Sequence, residues 1–227
     1  GSHFASYVNE EIESKYSQYT EFNPEKARAI LEKAGYVDQN GDGFRQLPNG
    51  DPIELKMEVV NGWSDYIQTL EMATQYFEDI GINSKLVTVD WSIYDKNLKE
   101  GTYTMSMSWS NTANAHPIQA YQDYYSMDLI GTSWHSNHGI VSKELSDRIT
   151  EFSQIMDELE QKKILDEAQE FTAQNMPFLP LFSAPIWFQY NTTKILGWPD
   201  ANNAYISPNF YQVDKKVKMI DHLYLRN

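Results

Sequence analysis

The chain has 227 residues, with 18 Lys and Arg against 32 Asp and Glu, a net charge of −14, and no cysteine. Such a negative excess repels phosphate backbones and anionic membrane surfaces, which sets nucleic-acid binding aside. Without thiols there is no disulfide framework, thiolate nucleophile or Cys-bound zinc or iron–sulfur centre, while 41% hydrophobic residues, 15 Tyr and 6 Trp are too many for a disordered chain and imply one or two folded domains.

Gly1, Ser2 and His3 read as the remnant of an expression tag, so a leader or further domains upstream are compatible with this start. Asn23 and Pro24 form an N-cap and first-turn pair, and Ala27, Ile30, Leu31 and Ala34 then recur at helical spacing, predicting a helix over 24–34 that Gly35 ends. Residues 36–52 are a polar turn region rich in Gly and Asp. Ile53, Leu55, Met57 and Val59 alternate with Glu54, Lys56 and Glu58 as a strand of period two. Ser64 caps a second helix carrying Ile67, Leu70, Ala73, Phe77 and Ile80, closed by Gly81, and a second strand follows over 82–89. A short helix fits Ser92 to Lys99, and after Gly101 the alternation of Tyr103, Met105, Met107 and Trp109 predicts a third strand. Strand, helix, strand, helix, strand with crossovers of this length implies adjacent parallel strands linked right-handedly, an α/β sheet flanked by helices.

Beyond it come a loop over 110–116, a short helix over 117–126 and an irregular stretch from Met127 to Val141. Ser142 caps a helix with Leu145, Ile149 and Phe152 on one face, and Asp157 with Glu160 opens another that runs to about Asn175, where Pro177 forbids continuation. Phe178 to Tyr190, aromatic and β-branched but interrupted by prolines, reads as an edge or broken strand. Its apolar core is well short of the roughly 20 residues that span a bilayer. The remainder is loop-rich with a terminal strand expected near Val217 to Leu225, and there is no internal repeat.

In a parallel α/β sheet, ligands bind outside the carboxyl ends of the strands. Those ends read Asn61-Gly62-Trp63, Asp90-Trp91 and Trp109-Ser110-Asn111, so half of the 6 tryptophans fall at one edge of one sheet. Indole offers a flat apolar surface and one N–H donor, suited to stacking on a sugar ring or a peptide side chain while Asn, Asp and Ser supply oriented hydrogen bonds. The alternative reading is that each Trp closes its strand onto the core. The polar, aromatic run through Ser110, Asn111, Thr112, Asn114, His116 and Pro117 to Tyr121 has the character of a ligand-contacting loop. Asp38 to Gly43 matches the first half of a calcium loop, yet position 12 is Asn49 instead of Glu, and turn chemistry explains the segment more simply. His135 and His138, with His116, read as solvent-exposed loop histidines and not as metal ligands. No nucleophile elbow, phosphate-cradling loop or His-Glu-x-x-His motif is present, and no cofactor is implied.

The run Asn23-Pro24-Glu25-Lys26-Ala27-Arg28-Ala29-Ile30-Leu31-Glu32-Lys33-Ala34-Gly35-Tyr36 resembles the segment that opens the second lobe of family 5 extracytoplasmic solute-binding proteins. The likeness continues through the turn from Asp38 to Pro52, the helix end from Phe77 to Gly81, Tyr94 to Gly101, Trp109, and Ala168 to Leu181. It implies the second lobe of a periplasmic-binding-protein fold over 4–195, with 196–227 returning toward an absent first lobe. It also implies a non-enzymatic, extracytoplasmic role in the periplasm or at the cell surface, with or without a lipid anchor. There the protein would capture an oligosaccharide or oligopeptide between lobes and deliver it to ABC permease subunits. With half a cleft, this chain alone is expected to bind ligand weakly or not at all.

Peptide binders of the family usually place an aspartate between the tryptophan matching Trp109 and the following proline, to pair with the peptide's amino terminus. Here Trp109 to Pro117 holds only Ser, Asn, Thr, Ala and His between them. Pro185 to Thr192 and Gly197-Trp198-Pro199 are similar to stretches in members that take β-linked oligosaccharides. The resemblance therefore favours a neutral ligand stacked on Trp63, Trp91 or Trp109, with Ser110, Asn111, His116 and Tyr121 around it. Two other classes remain: an enzyme of unrecognised type, which would cluster His or carboxylates in its largest pocket, and an interaction domain, which would keep a large exposed apolar patch.

Overall fold

The computed structural model describes residues 4–109, 116–132, 138–182, 188–208 and 213–226. The chain divides into two compact units, one up to Leu179 and one from Pro180 onward.

In the first unit the helix predicted at Asn23 is present as α2 (Pro24–Lys33), with Asn23 Oδ1 accepting from the Lys26 N–H. A helix without sequence periodicity precedes it, α1 (Glu10–Tyr16), which Asn9 caps. The central strand β1 (Leu55–Val60) pairs in parallel with β2 (Ser84–Val89) on one side and β3 (Met105–Ser106) on the other. The expected adjacency of the second and third strands is thus corrected: β3 pairs with β1. Met57, Glu58, Val59 and Val60 are all buried, whereas in β2 only Ser84 is, and a strand buried on both faces needs a partner at each edge. β3 is also shorter than the expected 103–109, although the Met107 N–H extends its ladder to the Glu58 carbonyl at 2.9 Å.

Two helices cover the sheet. On one face α3 (Ser64–Asp79) sets Leu70 over Met57 and Val59, which are 1% and 0% exposed. Each such side chain contributes about 1.5–3 kcal/mol by leaving water. Glu58, between them, points to the opposite face, where it meets Asn97 of α4 (Trp91–Glu100). Between α2 and β1 the acidic turn satisfies itself: Asp38 accepts from the N–H groups of Gly41 and Gly43 at 2.7 and 2.9 Å, and Asp42 from that of Phe44 at 2.8 Å. Arg45 donates to the carbonyls of Tyr36 and Ile80, both at 2.8 Å, and to Glu32 at 3.1 Å, clasping the ends of α2 and α3.

A second core forms from Ile118 and Tyr125 of α5 (Ile118–Tyr125), Leu145 and Ile149 of α6 (Lys143–Glu151), and Ile164 and Ala168 of α7 (Glu158–Asn175). Ser142 and Asp157 cap α6 and α7 as the sequence predicts. α1 lies along α7, its Asn9 N–H donating to Gln169 Oε1 at 3.0 Å and Lys15 pairing with Glu170 at 2.6 Å. His138 is half-buried, which corrects its reading as an exposed loop residue: the ring sits edge-on to Tyr125, 5.9 Å away.

Residues 178–182 and 188–190 form no strand, since Pro177 and Pro180 have no N–H to give a ladder; 183–187 lie outside the described residues. In the second unit β4 (Ile195–Leu196) pairs antiparallel with β5 (Tyr224–Leu225), and α8 (Val213–His222) replaces most of the terminal strand expected over 217–225. Val213, Val217 and Ile220 recur there at helical spacing, which the alternation from Val217 onward obscures. Gly197, at φ +92°, lies so close to the His222 carbonyl that no Cβ fits.

Candidate functional site

The parallel strands end on one side of the sheet, and each leads to a tryptophan. After β1 the chain turns through Gly62, at φ +90°, and sets Trp63 at the start of α3. β2 passes through Asp90 to Trp91, the first residue of α4. The segment after β3 runs on to Trp109. Because β1 sits between the other two strands, the connections leave it toward β2 and return on its far side, so Trp63 and Trp109 flank the topological switch point where open α/β sheets form their crevice.

The rings converge. Trp63 lies 5.1 Å from Trp109 and 5.9 Å from Trp91, tilted by 52° and 49°. Trp91 and Trp109 are within 7° of parallel with centroids 6.4 Å apart. Tyr66 of α3 and Tyr94 of α4 close edge-on upon Trp63, each at 5.5 Å. Trp63 is therefore a half-buried hub that also packs against the core under α3. Trp91 and Trp109 ride upon it with 40% and 39% of their surface exposed, and a ligand covering them recovers about 25 cal/mol per Å² of apolar area. Tyr94 is 1% exposed, and burial pushes its phenol pKa up. Neither tyrosine stands among the sequence-predicted contacts, although each falls one helical turn beyond a strand-end tryptophan, the spacing that brings side chains onto one face.

His116 and Tyr121 belong to a different aromatic group. The His116 ring lies 4.8 Å from Tyr7 and 5.2 Å from Phe152, its Nδ1 accepts from the Ile118 N–H, and burial lowers its pKa. Tyr121 stacks on Tyr125 at 6.2 Å and borders a cavity of about 80 Å³ with Tyr7, Pro117 and Gln169, where burial pushes its phenol up to about 12. Ser110 and Asn111 lie outside the described residues. A larger hollow of about 510 Å³ opens between Arg28, Glu32, Arg45 and Glu78 at the C-terminal ends of α2 and α3, on the side where β2 begins and away from the tryptophans. Among the described residues no group of three or more His, Asp or Glu is placed to hold a metal ion.

The family model of bacterial extracellular solute-binding proteins, family 5 Middle, matches residues 3–131. In sequence the chain is similar to heme-binding protein A of Haemophilus influenzae, 25% identical over 169 residues that make up 70% of this chain and 27% of that protein. In structure it is similar to the mannohexaose-bound periplasmic oligopeptide-binding protein of an oligopeptide ABC transporter from Thermotoga maritima: TM-score 0.85, 25% identity, 97% of this chain and 42% of that one. It is also similar to the oligopeptide-binding protein AppA of Bacillus subtilis in complex with a nonapeptide: TM-score 0.54, 21% identity, 69% of this chain and 31% of that one. The chain spans less than half the length of each of these proteins.

Proposed function

We propose a function from one premise: this chain belongs to family 5 of the bacterial extracellular solute-binding proteins, whose family model covers more than half of it. Its fold is of the periplasmic-binding-protein kind, a parallel sheet flanked by helices. In our reading it is the second lobe of a longer, extracytoplasmic substrate-binding component of an ABC importer, not an enzyme. Residues 196–227 return toward a first lobe, and hinge closure between the lobes traps the solute for delivery to the permease. No helix among the described residues is long and apolar enough to cross a membrane.

The observation that carries the ligand reading is the convergence of Trp63, Trp91 and Trp109 at the carboxyl ends of three parallel strands. Two partly exposed, nearly parallel indoles suit the apolar faces of sugar rings. The run from Ser110 to His116 has no carboxylate to neutralise a peptide ammonium, and an unpaired buried charge is costly. Both favour a small neutral oligosaccharide over a peptide, with Ser110 and Asn111 as hydrogen-bonding partners. His116 and Tyr121 would act indirectly, since their rings are engaged in packing.

The test is a thermal-shift screen of the full-length mature protein against cello-oligosaccharides and short peptides, because a ligand that binds only the native state raises its Tm. Sugars alone should stabilise it, and Trp109→Ala should weaken binding by about tenfold or more, as expected for a stacked ring. A shift with peptides alone, or less than a few-fold loss in Trp109→Ala, would count against stacking as the basis of recognition.

A further inference from the structure

Behind the tryptophan cluster lies a carboxyl that meets no cation among the described residues. Glu58 sits in the central strand, 8% exposed, on the face covered by α4. Its Oε2 accepts from Asn97 Nδ2 at 2.6 Å. Its Oε1 is buried with no hydrogen-bond partner among the described residues, and so is the Oγ of Ser106, the residue paired with Glu58 across the β1–β3 ladder. The groups around this carboxyl are Asn97 and the Tyr94 phenol from α4, Ser106 from β3 and Val87 from β2. The nearest cations along the sheet, Lys56 and Lys85, both pair with Glu54, and Lys99 of α4 pairs with Asp95. Burial raises the pKa of Glu58, and the Asn97 hydrogen bond offsets this only in part.

The same position ties together the elements that bear the three rings. The Glu58 carbonyl accepts the Met107 N–H at 2.9 Å, the Met107 carbonyl accepts the Tyr94 hydroxyl at 2.8 Å, and Asn97 Oδ1 accepts from Thr102 Oγ1 at 3.1 Å. One side chain thus links α4, which starts at Trp91, to β1, which leads to Trp63, beside the segment that leads to Trp109. We propose that Glu58 is a positioning residue for the tryptophan cluster: as a neutral carboxyl it lets α4 and β3 seat against β1 so that the rings converge, and its ionisation draws water between α4 and the sheet and loosens them. The inference rests on the ligand reading of those rings for its significance, but its test needs no ligand.

The readout is the near-ultraviolet circular dichroism of the 227-residue chain from about pH 4 to about pH 9. The ring signal is the part that Trp109→Phe removes. The wild-type chain should lose amplitude as pH rises, in one step whose midpoint lies above the ordinary carboxylate range. Glu58→Gln, of the same shape but without the proton to lose, should keep the low-pH signal throughout. Asn97→Ala, which removes the bond that favours the ionised form, should move the step to higher pH, and it supplies the answer if Glu58→Gln fails to fold. A flat wild-type profile, a step that survives in Glu58→Gln, or a midpoint unmoved in Asn97→Ala overturns the proposal. Absence of sugar binding by the full-length protein would instead sink the ligand reading and leave the step in place.

Discussion

His138 is held in one tautomer by its two neighbours. Its Nδ1 accepts the Ile140 N–H at 3.2 Å, so Nε2 carries the proton that it donates to the Tyr124 carbonyl at 3.0 Å. Protonation would set a second hydrogen against the Ile140 N–H, and burial already lowers the pKa of this ring. The folded value is below the unfolded one, so the unfolded state binds more protons in between. Stability is then full above the unfolded pKa and is lost as pH falls through it toward the folded value. Urea unfolding at about pH 7.5 and about pH 5.5 should show this loss, and His138→Asn, whose Oδ1 can still accept from Ile140, should shrink it. An undiminished difference would assign the dependence to other groups, such as His116, whose pKa burial also lowers. Sequence could not reveal either environment, because the rings that surround them, Tyr7 and Phe152 for one and Tyr125 for the other, come from distant segments. The tryptophans were legible because period-two strands announce where they end. Their unequal exposure was not, since it depends on Tyr66 and Tyr94 arriving from two helices on one ring.

Among the elements, the turn before β1 shows how a polar stretch can act as a joint. Arg45, its side chain 11% exposed, reaches two backbone carbonyls and one carboxylate from the ends of α2 and α3. A lysine ammonium cannot reproduce that planar fork. Arg45→Lys should therefore cost about 1–3 kcal/mol, seen as a lower urea midpoint at unchanged slope; a loss under about 0.5 kcal/mol would mean the clasp adds little. The sequence marked this region as a turn, but the acceptors lie up to 35 positions away and carry no local signal. The apolar periodicity of α3 and α6, and for α7 the capping pair Asp157 and Glu160 with Pro177 beyond its end, place these helices near their observed bounds. α1 offers only Ile12 as an aliphatic residue, so its evidence of helicity is tertiary, in its contacts with α7. β3 differs in another way: alternation from Tyr103 to Trp109 states a preference for extended chain, while the ladder to β1 pairs only Met105 and Ser106 and adds the Met107 N–H.

Across the whole molecule, family membership and the parallel sheet agree with what was legible in the motifs from Asn23 to Trp109, the stretch where the family model also matches. Strand order was the part that local sequence could not supply, because it is decided by which strand has both faces covered. The seam between α1 and α7 adds a consequence in time. Its hydrogen bonds join residues 154 to 162 positions apart, from Tyr16 with Glu170 to Tyr7 with Gln169. Closing so long a loop costs entropy that only the finished seam repays, so it forms after the sheet and the helical core. α1 therefore finds its place on α7 only once residues some 160 positions further on are available, and the seam is expected to open more readily than the core. Gln169→Ala should then speed unfolding in stopped-flow experiments and leave the refolding rate almost unchanged, whereas slower refolding would place the seam in the folding nucleus.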